Sequence, residues 1–225
     1  MRILWLCNIC PPAVAAALGQ SFSVREGWLT GALNRFLAED GDPVQLAVCF
    51  PAEGELAGLK KKIPLKEFKT DHTGGPYREK EVSVYGFRED LKRPEVYDCG
   101  MEERFQEILE DFRPDLVHIF GTEFPHALAM VKSFGRPERI LVGIQGLVGE
   151  CAKSYMADLP AQVQGKATFR DILRKDSLRQ QQEKFRIRGE RERQVLQGCG
   201  HVTGRTEFDR AGSLACNPKL HYHKM

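Results

Sequence analysis

The 225-residue sequence lacks the glycine-rich fingerprints with which many α/β proteins hold phosphate. No GxGxxG follows the first apolar run, and no P-loop pattern occurs. Both absences weigh against a dinucleotide-dependent dehydrogenase and an ATPase. A GxSxG elbow is missing too, which removes the hydrolase signature. Long apolar runs are also lacking. The opening Met1-Arg2-Ile3-Leu4-Trp5-Leu6 is too short for a signal-peptide core and far too short to span a bilayer. Neither sign of charge dominates: the formal net charge is +2, and no aromatic-rich basic repeat occurs, so nucleic acid is not an expected partner. Cys7-Asn8-Ile9-Cys10 has no second Cys/His pair of matching spacing to complete a zinc site. Neither a metal nor a cofactor is expected.

What is present is ordinary for a globular α/β chain. Hydrophobic residues make up 42%, enough for one large core without disulfide support. The seven cysteines are odd in number and scattered, which fits a reducing compartment and a cytoplasmic protein. Cys7 and Cys10 keep a redox reading open. The next helix is expected only at Gly27, too late for a thioredoxin-like arrangement.

Short apolar runs at Ile3–Cys7, Val44–Phe50, Leu116–Phe120 and Ile140–Ile144 suit strands buried on both faces of a parallel sheet. Further strands are expected at 63–68, 82–87 and 200–203. Helical spacing marks 27–37, 101–112, 126–134 and 207–214. The stretch 167–196 reads as a long basic helix broken near Lys175-Asp176-Ser177. No element is expected from Pro218 to Met225. The alternation predicts a single Rossmann-like, doubly wound, mostly parallel α/β domain over 1–225. Ligands of such sheets bind at the carboxyl ends of the strands.

Three strand ends carry candidate chemistry. Pro114-Asp115-Leu116-Val117-His118 leads into Gly121-Thr122-Glu123, where polar groups at a strand end can meet a hydroxylated ligand. The same residues also fit a core histidine and a Glu123 that caps the next helix. Gly143-Ile144-Gln145-Gly146 offers a neutral amide that both donates and accepts, between glycines that admit a ligand to the backbone. A plain turn glutamine is the alternative. In Val202-Thr203-Gly204-Arg205-Thr206, Thr206 and Asp209 form a capping box, and Arg205 sits where an anion such as a diphosphate would be held. The basic stretch 166–193 fits either a solvated helix face with i,i+4 pairs such as Arg179 and Glu183, or a peripheral contact with an anionic membrane. The solvated face is the simpler account.

Taken in order, these segments resemble the N-terminal domain of retaining GT-B glycosyltransferases of glycosyltransferase family 4. The resemblance covers nearly the whole chain. It rests on Met1–Cys7, the loop into Glu26-Gly27-Trp28, and the His118, Gln145 and Arg205 segments. It implies one half of a GT-B fold, the half that binds a sugar or lipid-linked acceptor, with hexosyl transfer from a nucleotide sugar. It implies no metal. Asn8, Glu26 and Gly27 would lie beside the donor phosphates and acceptor. Thr122, Glu123, Gly146 and Arg205 would bind substrate. His118 and Gln145 would be the catalytic candidates. Two departures stand out. Phe120 occupies the place of a second histidine, and Gln145 replaces a histidine near the donor sugar, so it cannot carry a proton as imidazole does. The family's donor-binding C-terminal half has no counterpart within these residues, so this segment alone is expected to be inactive. A carbohydrate- or partner-binding module without catalysis is the remaining alternative.

Overall fold

A computed structural model describes residues 1–22, 27–38, 44–66 and 79–225. The chain is α/β, with eight strands in a mostly parallel, Rossmann-like sheet and helices flanking it, as the sequence predicts. It divides into two compact units: Met1–Glu89 with Gln106–His118, and Asp90–Phe105 with Ile119–Met225.

In the first unit, β1 (Arg2–Leu6), β2 (Gln45–Pro51), β3 (Lys60–Lys66) and β4 (Glu79–Phe87) run in the order β3-β4-β2-β1. β1 pairs parallel with β2, Leu4 opposite Ala47, and β2 pairs parallel with β4, Val48 opposite Val84. These strands are buried along most of their length, which is why they read as continuous apolar runs. α2 (Gly27–Ala38) buries Leu29, Leu33 and Leu37, four residues apart on one face. Gly86 admits no side chain, because a Cβ there would overlap the Leu56 carbonyl.

β3 is antiparallel to β4 and lies at the sheet edge. Ile63 and Leu65 face the core while its lysines stay in water. Lys60 reaches Asp111 at 2.7 Å and Lys62 reaches Glu81 at 3.1 Å. A lysine-rich edge strand discourages pairing with other chains. The strand expected from residue 63 begins three residues earlier, with Lys60, Lys61 and Lys62 forming its first part. The sequence also carries turn breakers at Gly74-Gly75-Pro76 and a helix stop at Gly41-Asp42-Pro43, and both lie outside the described residues.

α1 (Pro12–Ala17) corrects a second expectation. It follows β1 almost at once, opened by proline at its first position. α3 (Gly100–Phe112) and β5 (Leu116–Phe120) each contribute residues to both units.

The second unit holds α4 (Pro125–Phe134), β6 (Ile140–Gly143), α5 (Val148–Ser154), α6 (Ala161–Gln164), α7 (Phe169–Arg174), α8 (Leu178–Gln197), β7 (His201–Gly204), α9 (Glu207–Cys216) and β8 (His221–Lys224). Its strands follow the order β5-β6-β7-β8, with β6 parallel to β7 and β7 parallel to β8. The expected break in the basic stretch is real. Lys175 takes a left-handed φ of 52° and ends α7, and Ser177 with Gln180 caps α8. The pair expected between Arg179 and Glu183 is not the one formed. Glu183 binds Arg186 instead, one turn onward, at 2.7 Å.

β8 also contradicts the expectation of no element after Pro218. His221-Tyr222-His223-Lys224 has no apolar run, and three of its four residues are exposed. It forms through its backbone: His221 N–H donates to Gly200 O at 2.9 Å, and Met225 N–H to Gly204 O at 3.0 Å. An edge strand stabilised by its ladder leaves little trace in side-chain pattern.

Candidate functional site

The strand ends of the second unit build a polar rim. Gly121 leaves β5 with φ 95°, a conformation open to glycine and strained for other residues, and its N–H donates to Gly143 O at 2.8 Å. Ile144 N–H then donates to Thr203 O at 2.8 Å. These bonds align the exits of β5, β6 and β7. In the β6–β7 register Gly143 faces Thr203, so Gln145 and Arg205 each stand two residues past the same pair. Both are exposed. The rim therefore offers an amide able to donate and accept, beside a permanent cation suited to phosphate oxygens.

The corner after β7 is rigid. Asp209 accepts from the N–H groups of Arg205 and Thr206 at 2.9 Å each, and its own N–H donates to Thr206 Oγ1 at 3.1 Å. Thr206 is thus the predicted N-cap, with Asp209 closing the box. Burial pushes the Asp209 carboxyl up, but those N–H donors more than offset it and hold it below the usual range. Asp209 already occupies the start of α9, so the Arg205 side chain is the group left for an anion. Gly204 allows the tight turn; a Cβ there would lie 2.7 Å from Tyr222 Oη.

The loops after β5 and β6 are tied together by a residue that sequence reasoning missed. Glu192 lies in the C-terminal third of α8 and is 3% exposed. Its Oε2 accepts from the Thr122 hydroxyl at 2.7 Å and from Val148 N–H at 2.9 Å; its Oε1 accepts from Gly149 N–H at 2.9 Å. A negative side chain at the N-terminus of α5 satisfies donors that the helix itself cannot. The close helix contact depends on two glycines, since a Cβ on Gly189 would sit 2.5 Å from Gly149 Cα. A glycine inside a polar helix was the available signal.

Thr122 is 2% exposed and its hydroxyl serves Glu192 in this conformation. Glu123 does not cap the next helix: Phe124 is the N-cap and makes no side-chain bond there. The Glu123 carbonyl instead accepts from Arg188 Nε at 3.0 Å. Arg191 likewise donates to the carbonyls of Pro94 and Glu95. The basic run of α8 is therefore partly a set of tethers as well as a solvated face.

Asn8, Gly27 and His118 belong to the first unit. Asn8 is half-buried between β1 and α1, and Gly27 is exposed at the start of α2. Glu26 lies outside the described residues. His118 meets Trp5 edge-on, with ring centroids 6.5 Å apart. Burial pushes its imidazole down to about 4, so it is neutral at physiological pH. Gln145, Gly146, Thr122, Glu123 and Arg205 share the rim of the second unit; His118 is not among them.

Cys7 and Cys10 do sit between a strand and a helix. Burial, however, pushes the Cys10 thiol up to about 12 and Cys7 well above its ordinary value. The attacking thiol of a dithiol redox centre needs the opposite shift. Among the described residues no group of three or more His, Cys, Asp or Glu side chains is placed to hold a metal ion, and no helix is long and apolar enough to cross a membrane.

No model of a known protein family matches the chain, and no curated protein matches it.

Proposed function

We propose that the chain is the acceptor-side half of a retaining GT-B glycosyltransferase, acting with a nucleotide sugar as hexosyl donor. One observation carries the reading: Gln145 and Arg205 leave adjacent parallel strands at matching positions, both exposed, at the edge where α/β sheets bind ligands. In this reading Gln145 positions a sugar hydroxyl, and Arg205 offsets charge on the diphosphate as the bond from the anomeric carbon to phosphate breaks. The acceptor hydroxyl forms the new bond on the same face and gives its proton to the departing phosphate oxygen. A neutral His118 acts, if it touches substrate, as a hydrogen-bonding group and not as a cation.

The reading is tested by amide NMR of the folded chain titrated with a panel of hexose oligosaccharides and nucleoside diphosphate hexoses. Shifts centred on 144–147 and 204–207 support it. Saturating shifts confined to other surfaces contradict it. Serine at both Cys7 and Cys10 should leave these shifts in place; their loss would favour a thiol-dependent role.

A further inference from the structure

α7 is the least covered apolar element of the second unit. Phe169, Ile172 and Leu173 are 76%, 63% and 68% exposed. At 100° per residue these three fall within about a third of the helix circumference. Arg170 borders this face, Arg174 follows it at i,i+4 about 40° farther round the helix, and Lys166 and Lys175 stand before and after the helix. Asp171 lies on the opposite side, where its carboxylate accepts from Thr168 N–H at 2.8 Å and closes the helix cap. The other nearby acid, Asp176, stands 3.9 Å from Lys184 on α8.

The helix is already formed and capped at both ends, by the Thr168 box and by left-handed Lys175. Ordering it on a surface therefore costs little. Its exposed apolar area is on the order of 400 Å², at the upper end of what a monomer leaves in water. That is about half of what each partner contributes to a stable protein interface. Three bulky apolar side chains above a cationic flank instead fit the boundary between headgroups and acyl chains.

We propose that α7 docks the chain on an anionic lipid bilayer, with Phe169, Ile172 and Leu173 inserted and Arg170, Arg174 and Lys175 at the phosphate level. The surface is independent of any catalytic role for the rim. It assigns the membrane contact to one turn-and-a-half of helix, not to the basic stretch as a whole, since Arg186, Arg188, Arg191 and Arg193 of α8 are engaged within the protein.

The test is flotation of the full chain with phosphatidylglycerol–phosphatidylcholine vesicles at low ionic strength, against phosphatidylcholine alone. Wild type should float with the anionic vesicles only. Each cation at the surface is worth about a fivefold gain in partitioning, so reversing Arg170→Glu with Arg174→Glu should weaken it at least ~25-fold. Replacing Phe169, Ile172 and Leu173 together by serine should abolish it without changing the melting temperature, since none is buried. Absence of flotation with anionic vesicles overturns the proposal. So does flotation that survives the triple serine change. A serine variant that loses self-association, with neither protein floating, assigns the face to a second copy and overturns it too.

Discussion

Glu192 gives the sharpest test of the second unit's architecture. Substitution by alanine removes three accepted hydrogen bonds at once. A buried donor left without a partner costs about 1–3 kcal/mol. The Thr122 hydroxyl and Val148 N–H are buried, whereas Gly149 N–H is partly reachable by water. Relief of the carboxylate's own desolvation offsets part of the loss. Glu192→Ala should therefore destabilise the chain by about 3 kcal/mol. Glu192→Gln is the control. Its carbonyl can keep the bonds to Thr122 and Val148, but its amide turns two hydrogens toward the Gly149 N–H. One bond is lost, at a cost of about 1 kcal/mol. Urea titration measures both, and hydrogen exchange at Val148 and Gly149 reports the local effect. An alanine variant within about 0.5 kcal/mol of wild type, or a glutamine variant worse than alanine, would refute this reasoning.

Acid should act through His118. Its folded value of about 4 lies below the ordinary 6.5, so the unfolded chain binds more protons between these limits. Stability relative to a His118→Gln variant should be full above pH 6.5 and fall by about 3 kcal/mol by pH 4; a flat difference curve contradicts the burial argument. Glu192 works the other way. Burial lifts its carboxyl above 4.5 despite the three donors, so its contribution is greatest below that value and declines as pH rises through the lifted range. Stability curves of Glu192→Gln should lack that decline. Gly189→Ala should lose about 1–3 kcal/mol through the clash with Gly149, read by thermal melting; a neutral result would mean the α5–α8 crossing is looser than described. Arg205→Ala should weaken nucleoside diphosphate hexose binding about tenfold, the value of one charge-assisted bond at an exposed site, while leaving stability unchanged by calorimetry.

The strands that the sequence discloses are the doubly buried ones. Leu4, Val48, Val117 and Val142 belong to apolar runs because both faces of their sheet are covered. β3 and β8 escape that logic. Each is an edge strand whose outward residues are charged or polar, so lysine and histidine stand where a pattern reader looks for valine. The cap of α9 was legible because Thr206 bonds to a group three residues away; the same boxes at Thr168 and Ser177 lay hidden inside a stretch that reads as one broken helix. Glu192 was not legible either, since its partners lie 44 and 70 residues distant and nothing local sets it apart from the exposed Glu190. The rim was visible as two separate strand ends; only the β6–β7 register shows that Gln145 and Arg205 are counterparts.

The most direct test of the central claim is hexosyl transfer by the native polypeptide purified from its own cell, assayed with labelled nucleoside diphosphate hexoses. The account expects product with the anomeric configuration retained, with turnover or donor affinity reduced by Gln145→Ala and Arg205→Ala. Absence of transfer from every donor by a folded native polypeptide that carries both halves, or transfer indifferent to both substitutions, would contradict it.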